Sequence, residues 1–433
     1  MNILNLATTD ENAAGVACRN ANDMFLKAGH NSLLLVKESV SGYPGVLALK
    51  KRKYGTYIHT LPGRIENRLS LLYRKLRPFD RDDKYSFHNL DEGKKHISGK
   101  DILDAVPFKP DVILIFWVSN FINMETVSEM AALTEAKIMW MMTDNAPLTG
   151  GCHYPWDCKG FHTDCNNCPA ILTKGSKSIA EKNLAIKKKF IPGNAEIMSS
   201  SESDYQRAKS SALFKGKVIH KLLAPIDENK FKPGDKTAAR AFFGIPEGKK
   251  VIFYGANAFS DPRKGGTNFL NALNILKETL RQPDSKCNPS DVLLLLAGKE
   301  KPVHFLDIGF EVKEAGYLNE NELITAYNAA DFLVSPSLED SGPMMVNQSI
   351  VCGTPMLAFD IGVAMDLIEN GVTGYKARLF DDEDLANGLK YLLSLSEDEL
   401  QTMSVNCRNF ALQHMTYAEY TRRLTAIIQK QPL

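Results

Sequence analysis

The sequence predicts an α/β protein of two domains, each a parallel β-sheet flanked by helices. Three observations carry this. Short apolar runs alternate with amphipathic ones near the start of the chain, and the same rhythm restarts near residue 250. The apolar runs are unbroken, as in strands buried on both faces of a sheet. A length of 433 residues leaves room for two domains of about 200 residues each.

In chain order, residues 2–7 read as a buried strand, 16–28 as a helix and 32–36 as a second strand. Residues 111–118 (DVILIFWV) and 137–142 (KIMWMM) supply further buried strands. The second block opens with a strand at 250–255 (KVIFYG) and a helix at 266–279, then a strand at 291–297 (DVLLLLA) and a helix at 320–329. A strand at 331–334 ends in small and acidic residues and is followed by a helix-like run. Cys352-Gly353-Thr354-Pro355 then turns the chain into a strand at 356–359. Residues 384–430 are helical in pattern throughout. A linker at 223–227 (LAPID) separates the blocks, which sets domains at 1–222 and 223–410, with a last segment at 411–433. There is no repeat of solenoid length and no low-complexity tract.

Hydrophobic content of 44% and charged content of 24% are those of an ordinary soluble globular protein. The net charge of +1 argues against nucleic-acid binding, which normally leaves a large basic excess. Charge is uneven, however: from Lys50 to Arg81 the only acids are Glu66 and Asp80. Within that stretch Ile65, Leu69, Leu72 and Leu76 fall at helical spacing. Residues 64–77 read either as a basic amphipathic helix touching anionic lipid or as a domain helix with a solvated outer face. The start, MNILNLATTDENAAG, lacks a basic region followed by a long apolar run, so no secretory signal is expected. No eighteen consecutive apolar residues occur either. The expected location is the cytoplasm, with peripheral contact to the inner face of the membrane as one reading of the basic segment.

Ligands of open α/β sheets bind outside the carboxyl ends of the strands, which is where Glu339, Asp340 and Ser341 stand. Carboxylates suit sugar hydroxyls because each oxygen can accept more than one O–H donor. Between the strand at 250–255 and its helix lies Arg263-Lys264-Gly265-Gly266. The fork of an arginine, the point charge of a lysine and backbone N–H groups at a helix start together suit phosphate oxygens. The two features stand at the ends of strands of one block and agree on one crevice.

Four of the eight cysteines, Cys152, Cys158, Cys165 and Cys168, crowd into GGCHYPWDCKGFHTDCNNCP. Their spacing lets one loop wrap a single ion, and His153 or His162 can replace a thiolate. The quartet reads as a structural zinc site, as two disulfides or redox-active thiols, or as unpaired thiols. Four thiolates would leave no open position on zinc, so a metal here would organise the loop and perform no chemistry.

The stretch from Ser335 to Thr373 resembles the donor-sugar signature of retaining GT-B glycosyltransferases of the family-four type. In that signature an acidic residue is followed eight positions later by glutamate. Counting back from CGTP gives Asp340 and Gln348, so the second position carries an amide where the family has a carboxylate. The resemblance implies two facing Rossmann-like domains and a last helix crossing back onto the first. It implies that Arg263 and Lys264 stabilise a departing diphosphate and that Glu339 or Asp340 holds the sugar. It extends donor contacts to Gly15 in Asn12-Ala13-Ala14-Gly15, to Asn257, to Tyr317 and Leu318 where the base would rest, and to Ser341, Gly342 and Gln348. Trp117 and Asp144 stand where relatives contact the acceptor, with Thr143 in place of their histidine. The run TDNAPLTGGCHY with the cysteine quartet resembles the members that build bacterial capsule, O-antigen and exopolysaccharide. The implied donor is a UDP- or GDP-sugar, the acceptor a glycan or lipid-linked glycan, and no catalytic metal is required. Two other classes remain open: a nucleotide-sugar 2-epimerase, and a non-catalytic nucleotide-sugar binding subunit suggested by Gln348.

Overall fold

The computed structural model describes residues 1–49, 80–283, 285 and 287–430. The basic segment 64–77 lies outside the described residues. The chain forms two compact units. Unit 1 comprises Met1–Ser199, Asp204–His220 and the chain from Thr425 onward; unit 2 comprises Ser200–Ser203 and Lys221–Leu424.

Unit 1 is a seven-stranded sheet in the order β3-β2-β1-β4-β5-β6-β7. Its strands are β1 (Asn2–Thr9), β2 (Asn31–Glu38), β3 (Val46–Ala48), β4 (Val112–Ile115), β5 (Lys137–Met141), β6 (Ala195–Ser199) and β7 (Ile219–Lys221), the last ending one residue into unit 2. β1 lies between β2 and β4, parallel to both, with Leu4 beside Leu33 and Ile113 and Leu6 beside Leu35 and Ile115. Both faces of this centre are dry. The strands there read as apolar runs because helices cover both faces, and Ile113, Leu114, Ile115 and Ile138 are fully buried.

Unit 2 repeats the arrangement in a six-stranded sheet, β10-β9-β8-β11-β12-β13. Here β8 is Lys250–Gly255, β9 Val292–Ala297, β10 Glu311–Gly316, β11 Phe332–Ser335, β12 Met356–Phe359 and β13 Gly374–Ala377. All neighbours run parallel, and β8 sets Ile252 beside Leu294 and Phe332. Numbered within the unit, this is the 3-2-1-4-5-6 order of dinucleotide-binding sheets. The strand order reverses between β8 and β11, which opens a crevice at their carboxyl ends. Unit 1 reverses in the same way between β1 and β4.

The sequence missed the edge strands β10 and β13, and also β3, β6 and β7. An edge strand is covered on fewer sides, so EVKEAG and GYKA carry no apolar run to signal them. The pattern over 384–430 resolves into three helices, Asp382–Ser394, Glu397–His414 and Tyr417–Gln429. Ser396 enforces one break: its hydroxyl accepts the Glu399 N–H while Glu399 returns to the Ser396 N–H, a capping box. In unit 1 the Lys137 ammonium donates to the Ile427 carbonyl of the last helix at 3.1 Å. No helix among the described residues is long and apolar enough to cross a membrane.

Candidate functional site

In unit 2 the loops after β8 and β11 close on each other at the switch point. Gly265 adopts φ +64, and a Cβ there would stand 1.7 Å from the Pro336 carbonyl oxygen, so only glycine fits. The Leu338 N–H donates to the Arg263 carbonyl at 2.7 Å, which ties the basic loop to the acidic one. Lys264 Nζ then lies 2.5 Å from Asp340 Oδ2, while the Arg263 guanidinium meets Asp261 at 2.6 Å. The basic loop and the acidic loop are thus tied together, with Lys264 on Asp340.

Glu339, Asp340 and Ser341 are buried, and Asp340 Oδ1 accepts the Gly342 N–H at 3.2 Å. Two buried oxygens here, Ser341 Oγ and Asn347 Oδ1, have no hydrogen-bond partner. An orphaned buried oxygen is costly, and a hydroxyl-rich ligand would satisfy it. Sequence reading missed Asn347; its signal was a polar residue one position before Gln348 on the helix Met344–Val351. Gln348 itself is fixed, its Oε1 accepting the Tyr327 hydroxyl at 2.8 Å. Tyr317 is 66% exposed at the carboxyl end of β10, with the Lys299 ammonium 5.0 Å from its ring centroid. Asn257 is exposed after β8, whereas Leu318 is buried in the core and leaves only its backbone for a ligand.

In unit 1, Gly15 packs where a Cβ would meet the Thr9 carbonyl at 2.3 Å, and its N–H is bound by the Asn12 side chain at 2.8 Å. The glycine serves the strand-to-helix turn, and its amide is already engaged. A cavity of about 180 Å3 opens at the carboxyl ends of β4 and β5, with Trp117, Ser119, Asp144, Glu92 and His96 among its walls. Asp144 Oδ1 accepts the Ala146 N–H at 2.8 Å. Burial pushes the Glu92 carboxyl up from its ordinary range, and Lys187 and the Met124 N–H only partly offset this. Glu92 carries no periodic or motif signal in the sequence; only the fold brings it here.

His153, one of two histidines that could replace a thiolate, has another partner. Its imidazole turns away from sulfur ligation and binds Asp144, Nδ1 to Oδ2 at 2.7 Å. Position 143, where the relatives carry a histidine, is Thr143, and the histidine that meets Asp144 in space comes from nine residues downstream. His162 is engaged elsewhere, its Nε2 lying 3.1 Å from Ser210 Oγ. Cys152, Cys158, Cys165 and Cys168 are free thiols that line one cavity of about 20 Å3. Burial raises the Cys165 thiol to about 11 and raises Cys152 and Cys168 as well. Among the described residues no group of three or more His, Cys, Asp or Glu stands ready to hold a metal ion.

Residues 235–410 match the family of glycosyl transferases group 1. That match lies wholly within unit 2. A D-inositol 3-phosphate glycosyltransferase of Nocardia farcinica is 26% identical over 192 residues, 41% of this chain and 40% of that protein. One from Rhodococcus erythropolis is 27% identical over 267 residues, covering 54% of this chain and 58% of the relative. The chain thus spans well under two thirds of the length of these curated relatives. Among solved structures, sucrose-phosphate synthase from Thermosynechococcus elongatus superposes with a TM-score of 0.63 at 14% identity, over 99% of both chains. Anabaena HepE in complex with UDP and glucose gives 0.63 at 14% identity, over 99% of this chain and 100% of that one. WaaG, a glycosyltransferase involved in lipopolysaccharide biosynthesis, gives 0.59 at 14% identity, over 98% and 99%. At such identity the likeness establishes the fold, which is the GT-B-like α/β architecture of two parallel sheets.

Proposed function

We propose that this chain is a retaining glycosyltransferase that moves a sugar from a nucleotide-sugar donor to a hydroxyl of a glycan or lipid-linked acceptor in cell-surface polysaccharide assembly. The observation that carries the reading is the pairing of Lys264 with Asp340 at 2.5 Å in the crevice of unit 2, inside the region that matches group 1 glycosyl transferases. In this reading Arg263 and Lys264 take the charge that develops on the departing diphosphate, a role that fixed positive groups perform without a divalent metal. Glu339 or Asp340 accepts hydroxyls of the donor sugar, and Gln348 meets the ribose. The acceptor hydroxyl attacks from the face the diphosphate leaves, and a phosphate oxygen takes its proton, so no protein nucleophile is needed. The acceptor is assigned to the cavity of unit 1, where Trp117 offers a ring face and Asp144 a carboxylate. The fold shared with HepE, solved with UDP and glucose, supports a UDP-sugar as the first donor to try.

The cysteine loop is proposed as a structural element that draws in one zinc ion. The support is that four unpaired cysteines of one loop line one small cavity, which would have to tighten around the ion to bring them into ligating positions. A second reading, a nucleotide-sugar binding subunit without turnover, is favoured by one observation, the amide at Gln348 held by Tyr327. Incubation of the full chain with a panel of nucleotide sugars, followed by mass spectrometry, separates the two. The transferase slowly hydrolyses its own donor without acceptor. Binding of a nucleotide sugar with no turnover under any condition supports the second reading.

A further inference from the structure

Asp144 and His153 reach each other from different segments. Asp144 follows β5, while His153 follows the first cysteine of the loop. The histidine is held on every side. It is 4% exposed, its N–H donates to the Tyr85 carbonyl at 3.1 Å, and its carbonyl accepts the Asn145 N–H at 3.1 Å. The ring of His88 packs edge-on against it with centroids 5.1 Å apart.

Hydrogen-bond chemistry then fixes where the imidazole proton sits. An ionised carboxylate only accepts, so the 2.7 Å contact between Nδ1 and Asp144 Oδ2 requires the proton on Nδ1. Whenever the ring carries a single proton, its lone pair is then on Nε2, 3.4 Å from Ser119 Oγ, whose hydroxyl is the available donor. A protonated Nδ1 cannot accept from Trp117 Nε1, 3.4 Å away, so the indole N–H is left for another acceptor. Asp144, Ser119 and Trp117 all line the cavity. One imidazole therefore sets the hydrogen-bonding state of three wall residues.

We propose that His153 is the positioning residue of this cavity: its Nδ1–H, with the Ala146 N–H on the other oxygen, locks the Asp144 carboxylate so that the remaining lone pairs accept hydroxyls of the acceptor. The proposal rests on the reading of unit 1 as the acceptor-binding unit. It also gives the cysteine-rich loop a task, since that loop delivers His153.

Two measurements on the full-length chain test it. The first needs no substrate: a long-range 1H–15N imidazole spectrum at neutral pH, with His153→Asn identifying the signals. A proton on Nδ1 is expected, and a ring without one overturns the proposal. The second uses p-nitrophenyl glycosides as probe acceptors with the nucleotide sugar selected by the hydrolysis screen. His153→Ala raises the acceptor KM on the order of tenfold at unchanged donor KM, the size of effect expected when one hydrogen bond to a charged group is lost. His153→Asn, whose amide N–H can replace Nδ1–H, recovers most of the loss. An asparagine variant that folds normally yet is as impaired as alanine overturns the proposal, as does an unchanged acceptor KM in the alanine variant. If no nucleotide sugar turns over, the transferase reading fails, while the imidazole spectrum still decides where the proton sits.

Discussion

At the residue scale, the charges of the unit 2 crevice divide the work. Arg263 and Lys264 lie in the loop after β8 and Asp340 in the loop after β11, and the ammonium proposed to meet phosphate rests on a carboxylate. Arg263→Ala and Lys264→Ala should each lower turnover by roughly a hundredfold, the equivalent of about 3 kcal/mol, because each removes a fixed charge from a developing anion. Steady-state kinetics with the hydrolysed donor, beside a circular dichroism spectrum, checks this, and near-normal turnover in either variant refutes the phosphate role. Gln348 is a subtler case. Its Oε1 already accepts from Tyr327, so a glutamate would keep that bond and turn a second acceptor oxygen toward hydroxyls. Gln348→Glu should therefore hold or tighten nucleotide affinity, by about 1 kcal/mol in favourable geometry. Calorimetric titration measures it, and a severe loss would mean that the ligand depends on the amide N–H donors.

At the scale of elements, the contact between the loops after β8 and β11 depends on one glycine. Gly265→Ala would force a Cβ into the Pro336 carbonyl and a side chain into left-handed backbone, a cost of at least about 2 kcal/mol. The expected result is a lowered melting temperature with nucleotide binding weakened more than cavity binding in unit 1. An alanine variant with unchanged stability and nucleotide affinity would show that the two loops are independent. The cysteine loop is the second element with a decisive measurement. Elemental analysis should find about one zinc per chain, and Cys165→Ser with Cys168→Ser should abolish it, since the proposed site has no other ligands to close the sphere. Metal-free protein with four titratable thiols in this loop rules zinc out, and none titratable points to disulfides.

At the scale of the whole molecule, the buried carboxyl of Asp10 contributes to the response to acid. Burial alone would raise the Asp10 carboxyl, but bonds from the Ser41 hydroxyl, Val40 N–H, Ser39 hydroxyl and Ser41 N–H outweigh it and hold the group well below its usual range. A carboxyl whose folded pKa is depressed contributes stability above the unfolded value, about 3.9, and loses it as pH falls further. The melting temperature should therefore drop below about pH 4, and Asp10→Asn should be less stable than wild type at neutral pH and less sensitive to acid. Parallel melting curves for the two proteins at neutral pH and in acid would show this. Equal acid sensitivity would remove Asp10 from the account.

The amino-acid sequence by itself determined the fold class, because doubly covered strands such as DVLLLLA and DVILIFWV must be continuous apolar runs, and their alternation with helices leaves few topologies. It also marked Arg263, Lys264, Glu339 and Asp340, whose place just beyond strand ends is a local property. Edge strands β10 and β13 were not legible, since a partly solvated strand needs no apolar run. Only the tertiary structure decided that Glu92 reaches a cavity, that Asn347 carries an orphaned oxygen, and that His153 partners Asp144. Those relations join residues through space across separate loops, and a spacing along the chain holds no record of which loops will meet.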